Sequence, residues 1–213
     1  MDLRLITFLM EFVSSFISLL VGYYALKGYK EFSIKGLFFL YLGFIILGIG
    51  TFLRVFSATY FVILLRALEP APHLRSLINL AGLIYTLTQL IAYSLFTATY
   101  ILQAKALGER SLELGMVSAG LFPIYGLFFN PSLELIAIVM LGFITVHSFN
   151  NWILKRSSGS ALVFLGFGFM FLSHLLFLFM IMEPVFLFFG QVTQLAGFLC
   201  LLAMLARVSR VHA

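Results

Sequence analysis

The chain has 213 residues, of which 62% are apolar and only 10% are charged, whereas an ordinary soluble domain has about 25% charged residues. This composition excludes a soluble globular protein and predicts an all-α, polytopic membrane protein with a single domain over residues 1–213. The net charge of +5 does not indicate nucleic acid as a partner, because the basic residues of a membrane protein collect in its short loops.

Membrane-spanning helices need about 20 largely apolar residues. Seven stretches meet or nearly meet this requirement: 5–26, 36–57, 76–102, 114–129, 132–153, 160–182 and 184–206. The fourth is short and contains Pro123, which we expect to kink it. Residues 58–75 are apolar without forming a clear span. They predict an outer loop or interfacial helix, with an extension of helix 2 as the alternative.

The positions of the 13 basic residues predict the orientation. Nine lie in the loops after helices 1, 3 and 5 or at the C-terminus, namely Lys27, Lys30, Lys35, Lys105, Arg110, Lys155, Arg156, Arg207 and Arg210. Four lie on the opposite side, namely Arg4, Arg54, Arg66 and Arg75. By the positive-inside rule we expect the N-terminus outside, the C-terminus in the cytoplasm and the chain in the cell membrane.

Four predicted helices carry small and polar residues along one face, which is typical of the packed face of a membrane helix. The stripes are Glu11, Ser15, Ser18 and Gly22 in helix 1; Gly36, Gly43, Gly50 and Arg54 in helix 2; Asn79, Gly82, Thr86, Gln89, Tyr93 and Tyr100 in helix 3; and Gly159, Gly166 and Ser173, with His174 beside them, in helix 6. Because a charge within the membrane is costly, Glu11 and Arg54 are candidates for function.

Helical depth predicts that these polar groups meet. At about 1.5 Å per residue, Glu11 and His174 both lie roughly 9 Å below the outer surface. The last span contains GQVTQLAG (190–197), whose glutamines fall at a similar depth. We therefore predict a ligand-binding pocket in the outer half of the membrane, lined by Glu11, Arg54, Gln89, His174, Gln191 and Gln194. The alternative is that Glu11 and Arg54 form an ion pair with a structural role only.

Short matches indicate an internal repeat. GLFFLYLGF (36–44) and GSALVFLGF (159–167) share the pattern G-x5-L-G-F, and Thr-Gln-Leu occurs at both 88–90 and 193–195. The matches predict two parallel three-helix units joined by helix 4, a 3+1+3 arrangement. Gln89 and Gln194 would then face each other across a pseudo-two-fold axis, where transporters place their substrate.

No motif for catalysis or a cofactor accompanies these residues. Retinal needs a lysine within a membrane helix, but all five lysines lie in or next to loops, so the resemblance to microbial rhodopsins concerns the seven-helix architecture alone. His147 and His174 differ in predicted depth by about 13 Å, which argues against bis-histidine haem. Glu11 and His174 are too few ligands for zinc. We predict no cofactor, no metal and no catalytic residue, and favour a protein that is not an enzyme.

Three functions fit the sequence. The first is a receptor-like or sensor-like protein that binds a small molecule or lipid in the polar pocket and signals through a protein at Lys155, Arg156 or the C-terminus. The second is a secondary transporter or proton-coupled carrier, which rests on the repeat and on the titratable Glu11 and His174. The third is a structural subunit of a membrane complex. The expected partners are therefore membrane lipid, a small-molecule ligand and a membrane or cytoplasmic protein.

Overall fold

A computed structural model describes residues 3–67, 72–106, 131–180, 182–183 and 185–210. These ranges form six helices: α1 (Leu3–Phe32), α2 (Lys35–Ala67), α3 (Pro72–Ala106), α4 (Pro131–Lys155), α5 (Ser158–Phe179) and α6 (Val185–Arg210). Five of them, all except α3, contain stretches long and apolar enough to cross a membrane. The chain is therefore an all-helical, multi-pass membrane protein.

The described helices coincide with six of the seven predicted spans, and the described part has six helices rather than seven. The predicted fourth span, 114–129, lies outside the described residues. Within 58–75, residues 58–67 continue α2 and residues 72–75 begin α3, whereas residues 68–71 lie outside the described residues, so the predicted outer loop or interfacial helix stays a prediction there. α2 continues through Ala67 and α3 begins at Pro72, because no proline interrupts α2 earlier and proline suits the first turn of a helix.

The helices pack in chain order as a ring. Each helix packs against the next one, and α6 returns to pack against α1. Aromatic side chains occupy the centre, where Phe44 of α2 contacts Phe96 of α3 and Phe198 of α6 at centroid distances of 4.5 and 6.0 Å. Phe96 also contacts Phe167 of α5 at 5.8 Å. The core therefore joins helices from both halves of the chain.

Two helix pairs approach closely at a glycine. A Cβ atom added at Gly197 of α6 would lie 2.7 Å from the carbonyl oxygen of Gly166 of α5, closer than real Cβ atoms come. A Cβ atom at Gly43 of α2 would lie 3.1 Å from the carbonyl oxygen of Ala92 of α3. The glycine stripes thus mark close helix packing, as is common where backbones meet in a membrane.

Side-chain contacts give the directions of α3 and α4. Tyr93 and Glu134 both bond to His174, whereas seven residues beyond Tyr93 the ring of Tyr100 lies 6.4 Å from that of His147. The two neighbours therefore run in the same direction. α1, α3, α4 and α6 begin at one end of the bundle, which we call the Glu11 end.

Candidate functional site

Glu11, near the start of α1, is the centre of a hydrogen-bonded group. Its Oε1 atom accepts one hydrogen bond from Arg54 Nη2 of α2 at 2.5 Å and another from Gln191 Nε2 of α6 at 2.7 Å. The Glu11 side chain is only 11% exposed and that of Arg54 is 32% exposed. Because a poorly solvated carboxylate needs a partner, the ion pair ties α1 to α2. The ion pair that the sequence offered as an alternative is present, and Gln191 joins it.

Arg54 connects this group to α3. Its guanidinium carbon lies 4.4 Å from the centroid of the Tyr85 ring, a cation–π geometry. The hydroxyl of Tyr85 accepts a hydrogen bond from Gln89 Nε2, one turn further along α3, at 2.6 Å. Arg54 therefore has one face against an aromatic ring and its nitrogen against a carboxylate.

A second group surrounds His174 of α5, which is completely buried. Its Nε2 atom lies 2.5 Å from the hydroxyl oxygen of Tyr93 of α3, and its Nδ1 atom lies 2.6 Å from Glu134 Oε2 of α4. In the neutral ring, Nδ1–H donates a hydrogen bond to the Glu134 carboxylate and Nε2 accepts one from the Tyr93 hydroxyl. In the doubly protonated ring, both nitrogens donate, one to each oxygen. The imidazole keeps two hydrogen bonds in either state if the Tyr93 hydroxyl rotates.

The two groups meet on α3 and form what we call the polar belt. Its members are Gln191, Glu11, Arg54, Tyr85, Tyr93, His174 and Glu134. The belt includes a side chain from each of the six described helices. Each group contains one carboxylate, which pairs with a guanidinium in the first group and with an imidazole in the second.

Three buried oxygen atoms beside the belt have no hydrogen-bond partner: Oε1 of Gln191 and the hydroxyl oxygens of Ser14 and Ser15. Both serines lie one turn along α1 from Glu11, and all three residues are at most 2% exposed. Each unpaired buried polar group costs about 1–3 kcal/mol. These atoms therefore have unused capacity to bind a ligand or water.

The structure brings most of the predicted pocket residues together. Glu11, Arg54, Gln191 and His174 are members of the polar belt, and Gln89 bonds to its Tyr85. Gln194 is also buried, but it makes no hydrogen bond among the described residues. That these residues bind a ligand remains a prediction.

Sequence reasoning did not single out Glu134, Tyr85 or Tyr93 as site residues. Glu134 lies in the first turn of α4, where a carboxylate is usual because it complements the helix dipole. The available signal was spacing, because Glu134 follows Glu11 by the same interval that separates Gly43 from Gly166. In the sequence, the two tyrosines are typical aromatic residues of a packed helix face. The structure is needed to show that Tyr85 contacts Arg54 and that Tyr93 contacts His174.

Comparisons with known proteins add no assignment: no protein-family model, curated protein or solved structure matches the chain. Among the described residues, no three His, Cys, Asp or Glu side chains are grouped as metal ligands. The contacts described within the polar belt are hydrogen bonds, an ion pair and a cation–π contact.

Proposed function

We propose that this multi-pass membrane protein is a receptor-like or sensor-like protein that binds a small polar molecule beside the polar belt. The observation that carries the proposal is the set of three buried, unpartnered oxygen atoms on Gln191, Ser14 and Ser15. Buried polar groups in proteins are nearly always hydrogen-bonded. A ligand that pairs with these atoms removes their desolvation penalty, and this gain favours binding at this place.

The charges of the belt favour an uncharged ligand. Glu11 and Arg54 already neutralise each other through a direct ion pair, so an anion finds no free guanidinium. A cationic ligand would lie close to Arg54 and be repelled by it. The atoms with free capacity are two hydroxyls and an amide oxygen, which match the hydroxyl or amide groups of a neutral molecule or of a lipid headgroup.

The predicted topology is part of this proposal. α3 and α4 run in the same direction, and parallel neighbours need a connection that returns along the bundle. A membrane span at 114–129 would connect the end of α3 back to the start of α4 and would bring the number of spans to seven. The basic residues then orient the Glu11 end towards the outside of the cell membrane. A sensor of this kind would signal through a protein partner at the basic inner loops, such as Lys155 and Arg156.

The test is a thermal-shift panel on protein in lipid nanodiscs, with neutral polyols and amides beside carboxylates and amines of the same size. At a hundred times its Kd, a ligand stabilises by about 2.7 kcal/mol. We expect a neutral probe to raise the melting temperature by about 5 °C or more. The shift should vanish in Glu11→Gln and His174→Ala and persist in Val192→Ala, a control at an exposed position beside Gln191. A panel without any shift, or with shifts unaffected by Glu11→Gln, would contradict binding at the belt.

A carrier is the second candidate, and matched contacts in the two halves favour it. The interval from Gly43 to Gly166 also separates Ser33 from Arg156. These are the two non-glycine residues with positive φ in the described part of the chain, at 54° and 46°, in the α1–α2 and α4–α5 turns. In each turn the backbone N–H bonds to the carbonyl four residues earlier at 2.8 Å. Equal conformations at equal positions support two related units, as in transporters with parallel repeats.

The packing of the third helix of each unit fits the same relation. One interval separates Ala92 from Gly197 and Gln89 from Gln194. Ala92 contacts Gly43 as Gly197 contacts Gly166. Uptake of a neutral probe into proteoliposomes would favour the carrier, whereas binding without uptake would favour the sensor.

A further inference from the structure

The two groups of the polar belt share one arrangement and differ in the permanence of the positive charge. In each group a carboxylate bonds to the next helix along the chain, Glu11 to Arg54 and Glu134 to His174. Arginine stays protonated in proteins, whereas histidine gains or loses its charge near neutral pH. The first carboxylate therefore has a permanent counter-charge, and the second has one only when both nitrogens of His174 carry a proton.

The helices that carry the two carboxylates pack alike, so the groups differ in the cation and not in the packing register. The interval that separates the carboxylates also separates Leu19 from Gly142 and Gly48 from Phe171. A Cβ atom added at Gly48 of α2 would lie 2.8 Å from the Leu19 side chain of α1. One added at Gly142 of α4 would lie 3.3 Å from the Phe171 ring of α5. The same two positions are thus in contact in both helix pairs.

Aromatic rings take the place of a permanent cation in the second group. The position of α5 that matches Arg54 by this interval is Phe177. The centroid of the Phe177 ring lies 5.6 Å from that of the His174 imidazole, and the centroid of the Tyr93 ring lies 5.3 Å from it. The imidazole is completely buried, whereas the Glu134 side chain is 33% exposed. Glu134 is therefore the member of this group that reaches solvent.

The described helices bring one charged side chain to His174. α4 supplies the Glu134 carboxylate, and α3 supplies the uncharged Tyr93 hydroxyl. Tyr85, about two turns before Tyr93 on α3, lies against Arg54 instead. The one described charge beside the imidazole is therefore that of a carboxylate.

The other titratable groups of the neighbouring helices lie elsewhere. α6 packs against α5, but the charged residues of α6 are in its last turn, with Cys200 towards that end. His147 lies on α4 towards the opposite end from Glu134, and Glu183, after α5, is exposed. Within the described chain, a singly protonated imidazole therefore leaves the Glu134 carboxylate without a counter-charge, and one more proton supplies it.

We propose that His174 and Glu134 form a proton-binding site, in which the pair takes one proton from water and holds it beside the Tyr93 hydroxyl. Binding adds this proton, breaks no covalent bond and changes the pair from negative to neutral. In the loaded form Nδ1–H donates to Glu134 and Nε2–H donates to the Tyr93 oxygen. In the empty form the Tyr93 hydroxyl donates to Nε2.

The proton is a second ligand, separate from the neutral molecule of the proposed function. Intramembrane carboxylates and histidines mark proton sites in transport proteins, so a carrier would bind its coupling proton here. The sequence offered Glu11 and His174 as the titratable residues. The contacts instead give His174 the partner Glu134, while Glu11 is neutralised by Arg54.

Nitrogen NMR of the full chain, labelled with ¹⁵N-histidine in lipid nanodiscs, tests the site. A protonated ring nitrogen and a bare one give well-separated signals, and those of His174 among the four histidines are the ones missing from His174→Gln. Between about pH 9 and about pH 5 we expect one transition, from one bare nitrogen to none. A ring that keeps a bare nitrogen throughout, or has none throughout, overturns the proposal.

The decisive variant is Glu134→Gln, with Glu11→Gln as the matched control. Glu134→Gln should keep the bare nitrogen down to about pH 5, because a buried imidazolium would have no counter-charge. Glu11→Gln should titrate like wild type, because Glu11 bonds to Arg54 and Gln191 rather than to His174. A wild-type titration in Glu134→Gln overturns the site, and so does loss of the transition in Glu11→Gln.

If Glu134→Gln does not fold, Tyr93→Phe replaces it. This change removes the acceptor of Nε2–H, and a hydrogen bond from a charged donor is stronger than the neutral bond lost from the empty form. Proton binding should weaken about tenfold, which lowers the midpoint by about one pH unit. An unchanged midpoint overturns the proposed loaded form.

The proton site and the neutral-ligand function can fail separately. Titration of His174 with no thermal shift from any neutral probe keeps the proton site and removes the proposed function. A thermal shift that depends on Glu11, with an imidazole that does not titrate, keeps that function and overturns the proton site.

Discussion

Arg54→Ala should destabilise the protein because it leaves a nearly buried carboxylate without a counter-charge. The substitution removes the 2.5 Å bond to Glu11 and the cation–π contact with Tyr85. Glu11 then keeps one donor, Gln191. Breaking a buried pair on one side costs about 3–5 kcal/mol, and we expect about 3 kcal/mol because Arg54 is one-third exposed. For a chain of this size that corresponds to a fall of about 6–12 °C in melting temperature.

The assay is thermal unfolding in detergent, followed by helical circular dichroism. Adding Glu11→Gln to Arg54→Ala should recover about half of the loss, because the isolated charge is gone and a neutral amide is easier to bury. The control is Arg207→Ala, which removes an exposed arginine bonded to the Ser158 hydroxyl and should change the melting temperature by less than about 2 °C. An Arg54→Ala variant that melts with wild type, or a double variant no more stable than Arg54→Ala, would refute the reasoning.

Other substitutions test the packing and hydrogen bonding, each by thermal unfolding without ligand. Gly197→Ala should cost about 1–3 kcal/mol because the added methyl meets a backbone carbonyl of α5, whereas Gly159→Ala, whose Cβ would lie 4.0 Å from the Ser157 hydroxyl oxygen, should be nearly neutral. Equal effects would contradict the close α5–α6 approach. Ser14→Ala should be neutral or slightly stabilising because its hydroxyl is unpaired. Ser18→Ala should cost about 1 kcal/mol, since that hydroxyl donates to a carbonyl of α2 at 2.9 Å; the reverse order would exclude the hydrogen-bond assignment. Tyr93→Phe should cost about 1–3 kcal/mol by leaving the buried imidazole nitrogen unpaired, and an unchanged melting temperature would show that this bond contributes nothing.

The helices were predictable because membrane spans have a strong compositional signal. Apolar runs predicted all six described helices. Helical rise alone predicted that Glu11, His174 and Gln191 lie at a similar depth, with Arg54 nearer the outer boundary. Helix ends were less predictable. α2 runs past the predicted end of its span to Ala67, because residues 58–67 contain no proline that would end the helix.

The second group of the belt, around His174, could not be predicted from the sequence, because its contacts depend on which helices are neighbours. His174 was recognised as a buried polar residue, but its partners Tyr93 and Glu134 come from α3 and α4. Both partners lie far from His174 in the sequence, so no local sequence pattern indicates that they contact it. The predicted repeat offered an indirect route to Glu134 through its spacing from Glu11, but that spacing does not identify His174 as the partner of Glu134.

The most direct test of ligand binding at the belt is an experimental density map of the wild-type protein in lipid nanodiscs with a stabilising neutral probe. Bound-probe density within hydrogen-bond distance of Gln191 Oε1 and of the Ser14 hydroxyl is the predicted result. A map in which these atoms are dry and packed against apolar side chains, with the probe elsewhere or absent, would contradict it.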